Sequence, residues 1–304
     1  MRDVFCRSLV SQAVDPRLVF LTGDLGFRAL EPLRDALRER FINAGVAEQN
    51  MVSVAAGLAK LELRPWVYSI APFLYARPFE QIRNDVCAHK LPVVLVGNGG
   101  GYGYGVMGST HHALEDYGCL LTLPNLRVFV PAFDEDVCAM VPLLMQFDAP
   151  AYFRLGVSER PAEYTVPAYC CWRRLIPGDG PTLVVIGPLA GGLVGAAKGL
   201  SLACRPDLWL LSELPVQALP EALLESIGRS QHLVVVEEHT AAGGLGQILS
   251  YWLASMGLVP RRFSHYYARG YVSGLYGSQR FHRAESGLEP DAIVASLYKE
   301  RVSD

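Results

Sequence analysis

Phe41-Ile42-Asn43-Ala44-Gly45-Val46-Ala47-Glu48-Gln49-Asn50-Met51 is the stretch on which the reading of this chain turns. A short apolar strand gives way to a turn and then to a helix. Ala55, Ala56, Gly57 and Ala59 leave that helix almost no side-chain bulk, so it can pack very closely. Glu48 stands at its start. A carboxylate held there loses hydration and is drawn toward proton exchange. A plainer role is available too, since an acid in the first turn complements the helix dipole.

Outward from this stretch, short β-branched runs alternate with helical patterns. Leu18–Leu21, Trp66–Tyr68, Val93–Val96, Arg127–Val130 and Ala151–Phe153 read as buried strands. Helices are expected around 49–62, 76–90, 112–122 and 134–147. Continuous apolar strands separated by helices predict a parallel sheet covered on both faces. Pro161, Pro167, Pro177, Gly178, Gly180 and Pro181 then interrupt the pattern, and the stretch 161–180 reads as a linker. Alternation resumes at Thr182–Ile186, Leu208–Leu211 and His232–Val236. The expectation is α/β with two doubly wound domains, 1–160 and 181–304.

Composition narrows the function. Of 304 residues, 51% are hydrophobic and 19% charged, a surplus of apolar surface that suits large subunit interfaces. A net charge of −3 argues against nucleic acid as partner. The seven cysteines form no CxxC pair, and Cys170-Cys171 cannot easily bridge each other, which fits a reduced, cytoplasmic chain. Met1-Arg2-Asp3-Val4 opens no apolar signal run, and no segment reaches the roughly 18 apolar residues of a membrane span.

Three segments carry candidate chemistry. Gly97-Asn98-Gly99-Gly100-Gly101-Tyr102-Gly103-Tyr104-Gly105 follows a strand and lets backbone approach a neighbour closely. Gly103 to Gly108 matches GxGxxG by letter, but its first glycine lies six residues beyond the strand, so dinucleotide binding is a poor fit. Gly108-Ser109-Thr110-His111-His112 places two histidines ahead of a helix, where proton transfer to a hydroxyl or carbonyl is possible. Adjacent side chains diverge, which disfavours a metal. Ala71-Pro72-Phe73-Leu74-Tyr75-Ala76-Arg77-Pro78-Phe79 sets aromatics at a helix mouth, where Phe73 and Tyr75 can stack on a planar ring. Phe79, Ile82 and Val86 have core spacing.

Taken in order, with Gly23-Asp24-Leu25-Gly26 before them and Glu237-Glu238-His239-Thr240 after, these segments resemble the C-terminal half of a transketolase. The resemblance covers nearly the whole chain. Deoxyxylulose-phosphate synthases and the β-chains of 2-oxoacid dehydrogenases share the architecture, and the Thr110-His111-His112 segment suits the transketolase group better. The resemblance implies a pyrimidine-binding domain, a smaller transketolase C-terminal-like domain, and thiamine diphosphate as cofactor. Glu48 would hydrogen-bond the coenzyme's aminopyrimidine, and Phe73 would stack on it, with Tyr75, Phe79, Asp24 and Leu25 nearby. His111 and His112 would face the ketose donor.

The resemblance implies that the domain that binds the diphosphate through Mg2+ is supplied from elsewhere. Gly178-Asp179-Gly180 matches its GDG segment by letter, but no asparagine pair follows. The resemblance therefore implies a separate N-terminal transketolase subunit as partner, two copies of each chain, and a ketol transferase active only when assembled. Around the substrate the chain departs from many relatives, with Met107 where they carry an aspartate and Gly99 where they carry a histidine. Arg154 matches a phosphate-binding arginine. A 2-oxoacid dehydrogenase β-chain, a dinucleotide-binding protein and a non-catalytic scaffold are the rival readings.

Overall fold

The computed structural model describes residues 1–26 and 29–303, with side chains described no further than Tyr298. In chain order the strands are β1 (Leu18–Thr22), β2 (Phe41–Asn43), β3 (Arg64–Ile70), β4 (Val94–Asn98), β5 (Arg127–Phe129), β6 (Ala151–Leu155), β7 (Trp172–Ile176), β8 (Thr182–Ile186), β9 (Asp207–Leu211), β10 (Glu213–Leu214), β11 (His232–Glu237) and β12 (Arg262–Tyr266). They form two sheets, ordered β10-β5-β6-β4-β3-β1-β2 and β12-β11-β8-β9-β7. Both are parallel except for β10 and β7, which pair antiparallel at edges. The architecture is the expected mixed α/β fold with two parallel-dominated sheets.

Strand β1 shows why Leu18–Leu21 are all apolar. Val19 and Leu21 enter one core, packed with Met51, Val52, Ala55 and Ala56 from the helix Glu48–Lys60. Leu18 and Phe20 enter another on the opposite face, with Phe5 and Leu9 of the helix Arg2–Val10. A strand buried on both faces has no place for a polar alternate. The alanines of the Glu48 helix are buried, and their small size lets that helix lie against β1 and β3.

Three stretches differ from expectation. Pro78 breaks up the helix expected at 76–90. The structure has a short helix Ala71–Tyr75, a single turn Phe79–Gln81, and a π turn over Ile82–Cys87. The helix expected at 112–122 shortens to Asp116–Leu120, because Ala113 pairs instead with Gly101 as an isolated bridge. Within 161–180, Trp172–Ile176 form edge strand β7. Its pattern reads as polar because Arg173, only 3% exposed, is buried as an ion. Asp136 lies 2.6 Å from its Nη1, and Ser212 Oγ accepts from its Nη2 at 3.1 Å.

The second sheet is joined to the first by buried polar contacts. Glu238 accepts from the Tyr102 backbone N–H at 2.7 Å, from Gln279 Nε2 at 2.9 Å and from Arg283 Nε at 2.7 Å. The Tyr102 ring stacks on His282 at 5.0 Å. The loop that carries the glycines is thereby fastened to the part of the chain that carries the second sheet. Among the described residues no helix is long and apolar enough to cross a membrane.

Candidate active site

In the first sheet the chain winds outward from β1 to β2, then returns to place β3 on the other side of β1. The switch point of such a sheet lies between β1 and β3, and ligands gather beyond the carboxyl ends of strands there. The candidate residues leave those ends. Asp24 follows β1, Glu48 follows β2, Phe73 follows β3, and the glycine and histidine segment follows β4. Two buried hydroxyls at the ends of β1 and β3, Thr22 Oγ1 and Ser69 Oγ, have no hydrogen-bond partner in the structure.

Asp24 adopts a left-handed φ of 42°, fixed by Asn43. The Asp24 N–H donates to Asn43 Oδ1 at 2.9 Å, and Asn43 Nδ2 donates back to Asp24 Oδ1 at 3.3 Å. Leu25 is half-buried against the core on the Phe20 face. The loops after β1 and β2 also touch directly, since a side chain at Gly23 would meet the Gly45 carbonyl at 2.9 Å.

Glu48 is 5% exposed and begins its helix with no side-chain cap. It borders a cleft of about 520 Å³ lined by Val46, Ala47, Gln49, Asn50 and Arg77. Arg77 Nη1 donates to Glu48 Oε1 at 2.9 Å. The same guanidinium lies over the Phe73 ring, 3.9 Å from its centroid. A flat, delocalised, hydrogen-bond-donating group thus sits between the carboxylate and the aromatic face. Sequence reasoning missed Arg77, although it stands four residues after Phe73 in the same segment.

His111 meets Phe73 edge-on at 5.1 Å and Tyr104 at 5.9 Å. Thr110 Oγ1 lies 2.9 Å from His111 Nδ1, which leaves Nε2 as the nitrogen for proton chemistry. Tyr104 is anchored by Asn98, whose Nδ2 donates to its hydroxyl at 2.7 Å. A side chain at Gly99 would meet the Tyr104 ring at 2.2 Å, so the aromatic occupies the space that a histidine there would need. Met107 is 53% exposed on the turn Gly105–Thr110, beside His111. Glu48, Phe73, His111 and Met107 share one end of the first sheet.

Other expected site residues are used internally. Arg154 is turned inward, 4% exposed, because Asp116 holds it. Its Nε is 2.7 Å from Asp116 Oδ2, and its Nη2 donates to the carbonyls of Ala113 and Glu238 at 3.0 Å each. Two of its three nitrogens are thereby engaged inside the protein. His112, expected at the substrate, is 3% exposed with both ring nitrogens engaged. Its Nε2 lies 2.8 Å from the Gly105 carbonyl and its Nδ1 2.9 Å from the Tyr271 hydroxyl. Tyr75 is part of the core, and its hydroxyl donates to Glu115 at 3.1 Å. Phe79 packs against that same core, as its spacing suggests.

His239 is fully buried and stacks on Tyr117 at 3.7 Å. Burial holds both His112 and His239 below the ordinary histidine value, so each rests neutral. The glycine turn at Gly243–Gly246 has no room for a phosphate. Glu237 already fills it, accepting from the N–H groups of Leu245 at 2.7 Å and Gly246 at 2.9 Å. Gly103–Gly108 is not a strand-to-helix turn either. It runs into a 3₁₀ turn broken at Gly108, which removes the basis for dinucleotide binding. Among the described residues no three His, Cys, Asp or Glu side chains gather as a metal site would require.

Residues 9–161 match the family model for the transketolase pyrimidine binding domain. A 1-deoxy-D-xylulose-5-phosphate synthase of Myxococcus xanthus is 32% identical over 298 residues, covering 93% of this chain and 48% of that protein. The chain therefore spans about half the length of that relative. An apulose-4-phosphate transketolase subunit of Actinobacillus succinogenes is 30% identical over 278 residues, covering 87% of this chain and 86% of that one. Among solved structures, a split-gene transketolase described as an inactive β4 tetramer superposes with a TM-score of 0.81 at 29% identity, covering 98% of this chain and 96% of that chain.

Proposed function

Because this chain belongs to the transketolase pyrimidine-binding family, we propose that it is one subunit of a two-chain, thiamine-diphosphate-dependent transketolase. It supplies Glu48 and the aromatic seat. A separate subunit supplies the domain that binds the diphosphate through Mg2+, and two copies of each chain assemble. The assembled enzyme moves a two-carbon ketol unit from a ketose to an aldehyde.

The observation that carries this reading is the placement of Glu48, a nearly buried carboxylate facing the Phe73 ring across one guanidinium-wide gap. An aminopyrimidine is also flat, and its ring nitrogen donates when it carries a proton, so the gap that Arg77 fills supports a seat for such a ring. When bound, the coenzyme supplies the electron sink for breaking a C–C bond beside a carbonyl. Glu48 holds a proton at the pyrimidine ring nitrogen. Phe73 fixes the plane of the ring. His111 takes or returns a proton at the substrate's oxygen through Nε2, while Thr110 holds Nδ1.

The exposed apolar surface at the mouth suits a site completed by another chain. Val46 is 74% exposed and Val106 71%. The apulose-4-phosphate transketolase relative, itself a subunit and matched along most of its length, supports a transketolase over a dehydrogenase β-chain. With Nε and Nη2 of Arg154 engaged inside the protein, a phosphate on the substrate is expected to be held mainly by other groups. The reading is tested by offering the assembled complex either a ketose with an aldehyde or a 2-oxoacid such as pyruvate. Ketol transfer without 2-oxoacid decarboxylation is expected. Decarboxylation of pyruvate as the main activity would move the chain to the synthase or dehydrogenase side.

A further inference from the structure

The segment that carries His111 is a loop closed at its base by Gly101 and Ala113, which exchange backbone hydrogen bonds of 2.9 Å in both directions. Inside it, the turn Gly105–Thr110 is broken at Gly108, whose φ of 74° and ψ of −161° lie outside any helix. A loop of this kind needs outside support to hold one conformation, and the support comes from the second domain. The polypeptide between β12 and the helix Gln279–Ser286 packs along it. A side chain at Gly105 would strike the backbone N–H of Gln279 at 3.0 Å, and one at Gly108 would strike the Tyr276 ring at 2.8 Å.

Two tyrosines of that polypeptide bond the loop at specific atoms. The Tyr276 hydroxyl is 3.0 Å from Ser109 Oγ, two residues before His111. The Tyr271 hydroxyl is 2.9 Å from Nδ1 of His112, the next residue after His111. The other nitrogen of His112 faces the Gly105 carbonyl at 2.8 Å, and a carbonyl only accepts. Nε2 therefore carries the hydrogen, and Tyr271 donates to Nδ1. The Tyr271 ring also stacks on His112, with centroids 5.7 Å apart and planes 17° apart, and meets Tyr276 edge-on at 5.2 Å. His111 is thus bracketed on both sides by groups fixed from the second domain.

We propose that Tyr271 and Tyr276 are positioning residues for His111, and that the second domain sets the catalytic geometry of the first through them. The proposal rests on the role given to His111 above. Tyr271 acts through His112, which clamps the carbonyl at the start of the turn. Tyr276 acts through Ser109 and through its ring under Gly108. Neither tyrosine touches the reacting atoms, so losing either hydroxyl displaces His111 without removing it. A displacement below 1 Å is enough to matter in catalysis.

The test uses two readouts on Tyr271→Phe, which keeps the ring, and on Ser109→Ala, which removes the partner of Tyr276 at an exposed position. In the full-length chain labelled with 15N-histidine, Tyr271→Phe is expected to move the His112 Nδ1 resonance toward that of an unbonded nitrogen. Both variants should shift or broaden His111. In the complex with the diphosphate-binding subunit, each variant is expected to lower kcat for ketol transfer by about tenfold while leaving KM for the coenzyme unchanged. A His111 signal unaltered in position and width in both variants would overturn the proposal, whatever the complex does. If the signals move as expected but the unmodified complex transfers no ketol group, the reaction assigned above falls and the clamp stands.

Discussion

Glu48→Gln is expected to cut exchange of the coenzyme's C2 proton in the assembled complex by about a hundred- to ten-thousand-fold, the range for removing a positioned acid or base. The substitution is well suited to the question. Glutamine has the same length and still offers an oxygen to Arg77, so the contact that now spans Glu48 and Phe73 survives in outline. What disappears is the ability to take up and return a proton. The side chain is 5% exposed, so bulk water cannot easily replace that function. Exchange is followed by NMR as loss of the C2 signal in deuterated buffer. Near-normal exchange in the variant would remove Glu48 from the mechanism.

The second large effect concerns stability. Arg154→Ala is expected to destabilise the chain by about 3–5 kcal/mol, the usual consequence of stripping one partner from a buried ion pair. Asp116 would remain fully buried with only the Tyr152 hydroxyl, at 2.8 Å, on Oδ2. Its other oxygen is already without a partner. The carbonyls of Ala113 and Glu238 would lose donors as well, and these hold the histidine loop to the second domain. Urea unfolding reads the effect directly. An arginine kept for substrate phosphate would behave in the opposite way, with an unchanged urea midpoint and a raised KM, and that result would restore the role that the matching position suggested.

Much of the first sheet was legible because burial on both faces leaves runs such as Leu18–Leu21 of β1 and Val94–Val96 of β4 uniformly apolar. The acid at Glu48 and the aromatic at Phe73 were visible from their place just beyond strand ends. Other features were hidden by their dependence on distant partners. Arg173 made β7 look like linker, since its burial is possible only with Asp136, 37 residues away. Arg154 looked like a ligand because Asp116 lies 38 residues earlier in sequence. His112 looked like a substrate contact because Tyr271 is 159 residues downstream. Arg77 was overlooked for a different reason. Its meaning comes from the bend between two short helices, and no periodicity announces that bend.

The claim that organises all of this is that Glu48 is half of a site. It is tested most directly by measuring ketol transfer from a ketose to an aldehyde, with thiamine diphosphate and Mg2+ present, for the purified chain, for its diphosphate-binding partner, and for mixtures of the two. The account predicts no turnover by either chain alone, and activity that rises with added partner until the two are equimolar. Turnover by this chain without a partner would contradict it.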